Sequence, residues 1–115
     1  MRLAIVAAGV VLAAASQAGL SQPARAQDVG AGRTLAARTC QACHGLDGIA
    51  KLPEAANLAA QDATYLTRQL LAFRSGERVN EQMSIVAQPL TDEQIADVAA
   101  YYNAIKIEVT SIPGR

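Results

Sequence analysis

Two cysteines and a histidine lie within five consecutive residues, Cys40-Gln41-Ala42-Cys43-His44. Residues at positions i and i+3 of a helix share one face, so both thiols could reach the same edge of a flat cofactor while His44 lies beneath it. Two thiols with this spacing, followed at once by an imidazole, are typical of covalent c-type haem attachment. The imidazole of such a motif becomes an axial ligand of the iron. The sequence therefore predicts one haem c, bound covalently through two thioether bonds to Cys40 and Cys43 and ligated by His44.

Three other interpretations of this motif are weaker. A thioredoxin-like dithiol also has two cysteines separated by two residues, but it requires a βαβ pattern that the sequence lacks, and it has no use for the adjacent His44. A structural zinc site needs four ligands, so a carboxylate such as Asp47 would have to join the two thiols and the imidazole. The remaining interpretation is a surface helix in which these residues occur together by chance.

The first 26 residues have the pattern of a secretory signal peptide. Met1-Arg2 supplies a positive charge, an apolar run extends from Leu3 to Ala15, and Ala24-Arg25-Ala26 has the small residues of a cleavage site. A membrane anchor is the alternative, but polar residues and Pro23 interrupt the roughly 20 apolar residues that a spanning helix needs. We therefore expect a signal peptide at residues 1–26, a mature periplasmic domain at residues 27–115, and no membrane span in that mature chain.

The composition of the mature chain excludes some partners. The whole sequence has 10 basic and 10 acidic side chains, and both Arg2 and Arg25 lie in the leader, so the mature domain is slightly acidic. Nucleic acid is therefore not expected as a partner.

A domain of this length, with only four aromatic side chains after the leader, buries a modest core. A covalent haem would supply the missing apolar volume.

Three helices are predicted from apolar spacing and capping signals. The first extends from Asp28 to about Thr39. The second begins after an N-cap at Asp62 and extends to about Ser75, where Gly76 can terminate it. The third begins at Thr91, with Gln94 completing a capping box, and the chain from about Glu108 is expected to fray.

Two loops separate these helices. The first follows the motif through the Asp47-Gly48 turn to about Gln61, and loops of this length in compact domains usually serve a site. The second extends from Glu77 to Pro89 and carries Met83, the only methionine besides the initiator. A lone methionine is more often core filler than a metal ligand, but the mature chain has no other methionine and no histidine besides His44, which makes Met83 the candidate for a second axial ligand.

Other residues of the chain resemble a known family when they are taken together with the motif. They are Gly32, eight residues before Cys40; Gly45, Asp47 and Gly48; Asn57-Leu58-Ala59-Ala60-Gln61; Tyr65; Gln69-Leu70; Phe73; Gly76; Arg78; Met83; and Ala99-Ala100-Tyr101-Tyr102. On these residues the mature chain resembles the class I c-type cytochromes, and especially the small single-haem domains of bacterial periplasmic cytochromes, which also occur as halves of two-haem proteins.

The resemblance implies a fold and a ligand set. The expected fold is all-α, a cytochrome c fold with three to four short helices wrapped around one covalently bound haem. Gly32 of the first helix should meet Tyr101 or Tyr102 of the last, and Met83 should be the second axial ligand. A main-chain carbonyl, from either Pro53 or Ala56, should orient the His44 ring.

The function implied is electron transfer in the periplasm, with iron held by His44 and Met83 and no bond-making catalysis by the chain itself. Its partners would be redox proteins: a dehydrogenase, an oxidase or another cytochrome. Two alternatives remain. The chain could be the electron-entry subunit of a larger dehydrogenase, or a haem enzyme or gas sensor whose sixth coordination site is open.

Cleavage of the leader is the first testable expectation. The small residues at Ala24 and Ala26 predict that the exported protein begins at Gln27. Intact-mass measurement of the periplasmic protein should give the mass of residues 27–115 plus one haem. A chain that still begins at Met1 and sediments with membranes would identify an anchored cytochrome instead.

Overall fold

The computed structural model describes residues 25–115, and every regular element in this part of the chain is helical. Most of the predicted leader, and therefore the apolar run on which that prediction depends, lies outside the described residues. The elements are α1 (Val29–Leu35), a π-helical turn (Ala36–Cys40), α2 (Gln41–His44), α3 (Ala63–Ser75), α4 (Met83–Ala87) and α5 (Asp92–Ala104). Within this range we find no helix with the length and apolar character needed to cross a bilayer.

The first helical region is longer than the sequence predicted. It begins at Val29, where the Asp28 carboxylate accepts a hydrogen bond from the Ala31 main chain at 2.9 Å, and it continues through His44 instead of ending near Thr39. The π-helical turn adds one residue to the helical repeat. Because the search for apolar spacing assumes a constant 3.6 residues per turn, such an insertion shifts the pattern and makes the helix look shorter than it is.

α1 and α5 cross in close contact at Gly32. A Cβ atom placed on Gly32 would lie 2.0 Å from the main-chain oxygen of Asp97 and 2.9 Å from Cβ of Tyr101. The expected meeting of Gly32 with a tyrosine of the last helix is confirmed for Tyr101, although the nearest atom belongs to the α5 backbone. Only a residue without a side chain allows the two helices to approach this closely.

The buried Asp97 carboxylate joins α5 to the chain entering α1. It accepts a hydrogen bond from the Asp28 main chain at 2.7 Å and another from the Arg25 guanidinium at 2.6 Å. Removal of the leader after Ala26 would take away the guanidinium and leave the Asp28 main chain as the partner of Asp97.

α3 and α5 form where the capping signals predicted them. Asp62 accepts a hydrogen bond from the main chain of Tyr65, and Gly76 ends α3 with a left-handed φ of 84°. At the start of α5, Thr91 and Gln94 form the complete capping box. The buried core is shared by α1, the π-helical turn, α3, the segment before α5, and α5, and consists of Leu35, Ala36, Leu66, Leu90, Ile95, Val98, Ala99 and Tyr102.

The segment from Glu77 to Pro89 is not entirely a loop, contrary to the sequence prediction. It contains α4, a helix of five residues that begins at Met83. Such a short helix covers little more than one turn, so it has no repeating apolar pattern for sequence analysis to detect. Beyond α5, Ile105 packs against the core, and the chain from residue 106 is exposed and has no regular secondary structure apart from a turn at residues 113 and 114.

The helix crossing predicts a strong effect of Gly32→Ala. The added methyl group would overlap the Asp97 carbonyl, and the clash with backbone can be relieved only by separating α1 from α5. We expect a loss of about 3 kcal/mol in the free energy of unfolding, measured by guanidinium titration of the haem-loaded protein.

Gly30→Ala is the matched control, because Gly30 lies on the exposed side of the same helix and its added Cβ would meet only the Asp28 side chain, at 3.2 Å. This variant should be neutral or slightly stabilising, since alanine favours helix more than glycine does. Equal stabilities for the two variants would contradict the crossing at Gly32.

Candidate functional site

The two cysteines lie at the junction of the π-helical turn and α2, and both are free thiols. Cys40 ends the π-helical turn and packs against the buried core, whereas Cys43 is in the middle of α2. Burial raises the pKa of the Cys40 thiol to about 11, and the neighbouring Cys43 also raises it, although a hydrogen bond with Tyr102 acts in the opposite direction. At neutral pH the free Cys40 side chain is therefore a protonated thiol.

The His44 ring is anchored through one of its two nitrogens. Nδ1 lies 2.7 Å from the main-chain oxygen of Ala56. Because a carbonyl can only accept a hydrogen bond, Nδ1 must carry the proton, and this tautomer leaves the lone pair of Nε2 available for a metal. Of the two carbonyls considered from the sequence, the structure selects Ala56 and not Pro53.

The loop that carries Ala56 is held by main-chain hydrogen bonds. The carbonyl of Gly48 accepts from Leu58 at 2.7 Å and from Ala59 at 3.0 Å. At the end of the loop, the main-chain N–H of Ala60 donates to the main-chain oxygen of Tyr102 at 3.0 Å, which joins the loop to α5. The loop is therefore ordered around its contact with His44.

Ala60 itself has a φ of 59°, in the left-handed region that glycine adopts at least cost. Alanine therefore adopts this conformation at a cost in backbone strain.

Met83 is the first residue of α4 and is half-buried. The side-chain oxygen of Asn80 accepts hydrogen bonds from the main chain of Gln82 at 3.0 Å and of Met83 at 2.9 Å. The side-chain oxygen of Gln82 lies 4.0 Å from Sγ of Cys43, so the segment that carries Met83 adjoins the attachment motif. The structure therefore brings together the two parts of the chain that the sequence predicted to share one cofactor.

Sequence analysis did not assign polar contacts to Tyr101 and Tyr102. The Tyr102 hydroxyl donates to the carbonyl of Gly45 at 3.0 Å, and the Tyr101 hydroxyl donates to the carbonyl of Leu46 at 2.6 Å. Both accepting residues directly follow His44. The only sequence signal is that both positions are tyrosine and not phenylalanine, which does not identify a partner 55 or 57 residues away.

The donor set and its surroundings fit a c-type haem. Two free thiols adjoin an imidazole with a free nitrogen, and a thioether lies in the adjacent segment. Large apolar side chains are exposed in both segments that border the motif, at Ile49, Leu52, Val79 and Ile85, and also elsewhere in the described residues, for example at Val29 and Ile107. In the two bordering segments these side chains are available to contact an apolar group.

The family model described as cytochrome c matches residues 29–106. The chain is 48% identical over 69 residues to cytochrome c-554(548) of Halomonas halodenitrificans, covering 57% of this chain and 83% of that one. It is 44% identical over 75 residues to cytochrome c4 of Thiocapsa roseopersicina, covering 65% of this chain but only 38% of the relative.

Solved structures give the same family. The crystal structure of reduced cytochrome c4 from Pseudomonas stutzeri matches with a TM-score of 0.64 and 34% identity, over 70% of this chain and 47% of that one. A thiosulfate dehydrogenase from Marichromatium purpuratum matches with a TM-score of 0.62 and 38% identity, over 73% of this chain and 20% of that one. The predicted cytochrome c fold is confirmed, and the matching part of this chain covers less than half the length of the two cytochromes c4 named here.

The hydrogen bonds of Asn80 predict a measurable effect of Asn80→Ala on the segment carrying Met83. Loss of the shared acceptor should destabilise the start of α4 by about 1 kcal/mol. Hydrogen–deuterium exchange at the amides of Gln82 and Met83 should become faster. Asn80→Asp, which keeps an acceptor oxygen in place, is the control and should exchange at nearly the wild-type rate. Unchanged exchange in Asn80→Ala would show that the cap does not hold Met83.

Proposed function

Since the chain belongs to the cytochrome c family, we propose that it is a periplasmic electron carrier with one covalent haem. The chain carries c-type haem, which is characteristic of this family. Cys40 and Cys43 would form the two thioether bonds. His44 and Met83 would be the two axial ligands, so that the iron has no open coordination site.

The contact between His44 and Ala56 is the observation that carries this proposal. It fixes the imidazole in the tautomer that can bind iron through Nε2, and it does so beside the two free thiols. A carbonyl partner on the second nitrogen of a ligating histidine is the usual way in which a protein orients such a ligand.

When bound, the haem supplies a one-electron couple between ferric and ferrous iron. The chain sets the potential of that couple through two neutral ligands, the imidazole of His44 and the thioether of Met83. Methionine as a second axial ligand raises the potential of haem iron. With both axial positions occupied by side chains, the protein would exchange electrons without binding a substrate at the metal.

The partner would be another redox protein, recognised mainly through apolar contact. After removal of the leader only two lysines remain, Lys51 and Lys106, and Nζ of Lys51 lies 2.8 Å from the Asp47 carboxylate. Together with six arginines these lysines are outnumbered by ten acidic side chains, so the net charge of the mature chain does not attract an acidic partner. A small apolar interface suits a weak, short-lived electron-transfer complex.

A second candidate function is that of an electron-accepting subunit or domain of a larger dehydrogenase. It is supported by similarity to the thiosulfate dehydrogenase of Marichromatium purpuratum, of which this chain covers 20%, and to a protein named thiosulfate dehydrogenase electron acceptor in Stutzerimonas stutzeri. Co-purification of the native protein at low salt distinguishes the two functions: a freely diffusing carrier should elute alone, whereas a subunit should elute with its dehydrogenase.

Met83→Ala tests the proposed ligand set. The wild-type ferric protein should show the absorption band assigned to charge transfer from a sulfur ligand to iron, and the ferrous protein should not bind carbon monoxide. In the variant the band should disappear, carbon monoxide should bind, and the potential should fall because the thioether is lost.

Ile107→Ala is the control, because Ile107 lies beyond α5, outside the two segments that border the motif, and is 61% exposed. Its spectra should match those of the wild type. If wild-type protein lacks the charge-transfer band and binds carbon monoxide readily, Met83 only packs, and the open-site alternative replaces the carrier.

A further inference from the structure

Two adjacent side chains of α5 contact the chain directly after His44. The hydroxyl of Tyr102 donates to the Gly45 carbonyl, and the hydroxyl of Tyr101 donates to the carbonyl of the next residue, Leu46. Phenylalanine at either position would fill nearly the same volume. The two hydroxyls therefore contribute more than packing. Their hydrogen bonds fix the direction of the backbone that follows His44.

The backbone turns sharply at Gly45. Its φ of 75° is in the left-handed region, and an added Cβ would lie 2.3 Å from the Asp47 carboxylate and 2.5 Å from the carbonyl of Ile49. Gly45 is buried and the hydroxyl of Tyr102 is also buried, so water is not available to replace the hydrogen bond between them. A buried carbonyl without a donor is costly, so the backbone at Gly45 should move if the hydroxyl is removed.

Tyr102 also holds the loop on the other side of the imidazole. Its main-chain oxygen accepts the hydrogen bond from Ala60, four residues after the Ala56 carbonyl that anchors the ring. A single residue of α5 thus contacts both the backbone that follows His44 and the loop that holds Nδ1 of His44.

We propose that Tyr102 is a positioning residue for the axial imidazole, and that it sets the strength of the hydrogen bond between His44 and Ala56. The proposal rests on the ligation of iron by His44 proposed above. A strong bond from Nδ1–H to a carbonyl increases the electron density that the imidazole gives to the metal, which favours ferric iron. If the backbone around Gly45 relaxes, that bond weakens and ferrous iron becomes relatively more stable.

The hydroxyl remains a donor at all physiological pH values. Burial raises the pKa of Tyr102. Its contribution is therefore present below the ordinary tyrosine pKa and would be lost only as the pH rises beyond that value into the strongly alkaline range. Measurements near neutral pH compare a protonated hydroxyl with its absence.

Tyr102→Phe in the haem-loaded protein tests this proposal. Tyr101→Phe is the matched control, because the carbonyl that Tyr101 contacts, that of Leu46, is one residue further along the chain from His44. Three properties are measured: the reduction potential, the paramagnetic proton NMR shifts of the haem methyl groups, which report the orientation of the axial ligands, and the charge-transfer band of the sulfur ligand.

Tyr102→Phe should raise the potential, so that the ratio of ferrous to ferric protein at a fixed solution potential increases at least about threefold. It should also rearrange the methyl shifts while the charge-transfer band is retained. Tyr101→Phe should change both properties less.

A purely structural contribution of Tyr102 makes a different prediction. In that case Tyr102→Phe would lower the unfolding midpoint while the potential and the methyl shifts stay at their wild-type values, and the proposal would be wrong. A wild-type NMR spectrum without a ligated imidazole would instead overturn the assignment of His44 as the ligand.

If Tyr102→Phe does not accumulate with haem, 3-fluorotyrosine at position 102 gives the same test with little change in volume. Its hydroxyl is a stronger donor, so the potential should shift in the opposite direction. An unchanged potential would contradict the proposal.

Discussion

The hydrogen bond between Nδ1 of His44 and the carbonyl of Ala56, 2.7 Å long, is the contact on which the site depends. An imidazole has only two nitrogens, so fixing one of them determines which can bind a metal and how the ring is oriented. The rest of the loop serves to place this carbonyl. Gly48, whose added Cβ would lie 2.6 Å from the main-chain nitrogen of Ala59, allows the two sides of the loop to approach closely enough for its own carbonyl to hold Leu58 and Ala59.

The crossing of α1 and α5 supports the contact between His44 and Ala56. Because α1 continues through the π-helical turn into α2, the position of Gly32 against Asp97 also determines where Cys40 and His44 lie. α5 then returns to the same site through Tyr102, five residues beyond Asp97. The helix pair that forms the core is therefore the one that positions His44, so a disturbance of packing and a disturbance of the site should occur together.

Sequence analysis succeeded where the signal is local. The attachment motif spans five residues, and the caps of α3 and α5 depend on Asp62, Gly76 and the pair Thr91 and Gln94, all of which act on neighbouring backbone. It was incomplete where contacts join distant parts of the chain. The choice of Ala56 and the partners of the tyrosine hydroxyls depend on how the loop packs against α5, and no local pattern encodes that packing. The short α4 and the π-helical turn were missed because neither repeats for long enough to produce a period.

Met83 is the second residue of the proposed ligand set. The segment that carries it is held by the Asn80 side chain and adjoins Cys43 through Gln82. The most direct measurement of that set is the X-ray absorption spectrum at the iron edge of the ferric, haem-loaded protein at neutral pH. One sulfur scatterer in the first coordination shell, together with the nitrogens of the porphyrin and of one imidazole, is the result we predict. A first shell of nitrogen and oxygen alone would contradict it, because Met83 would then not bind the iron and the site would be open to added ligands.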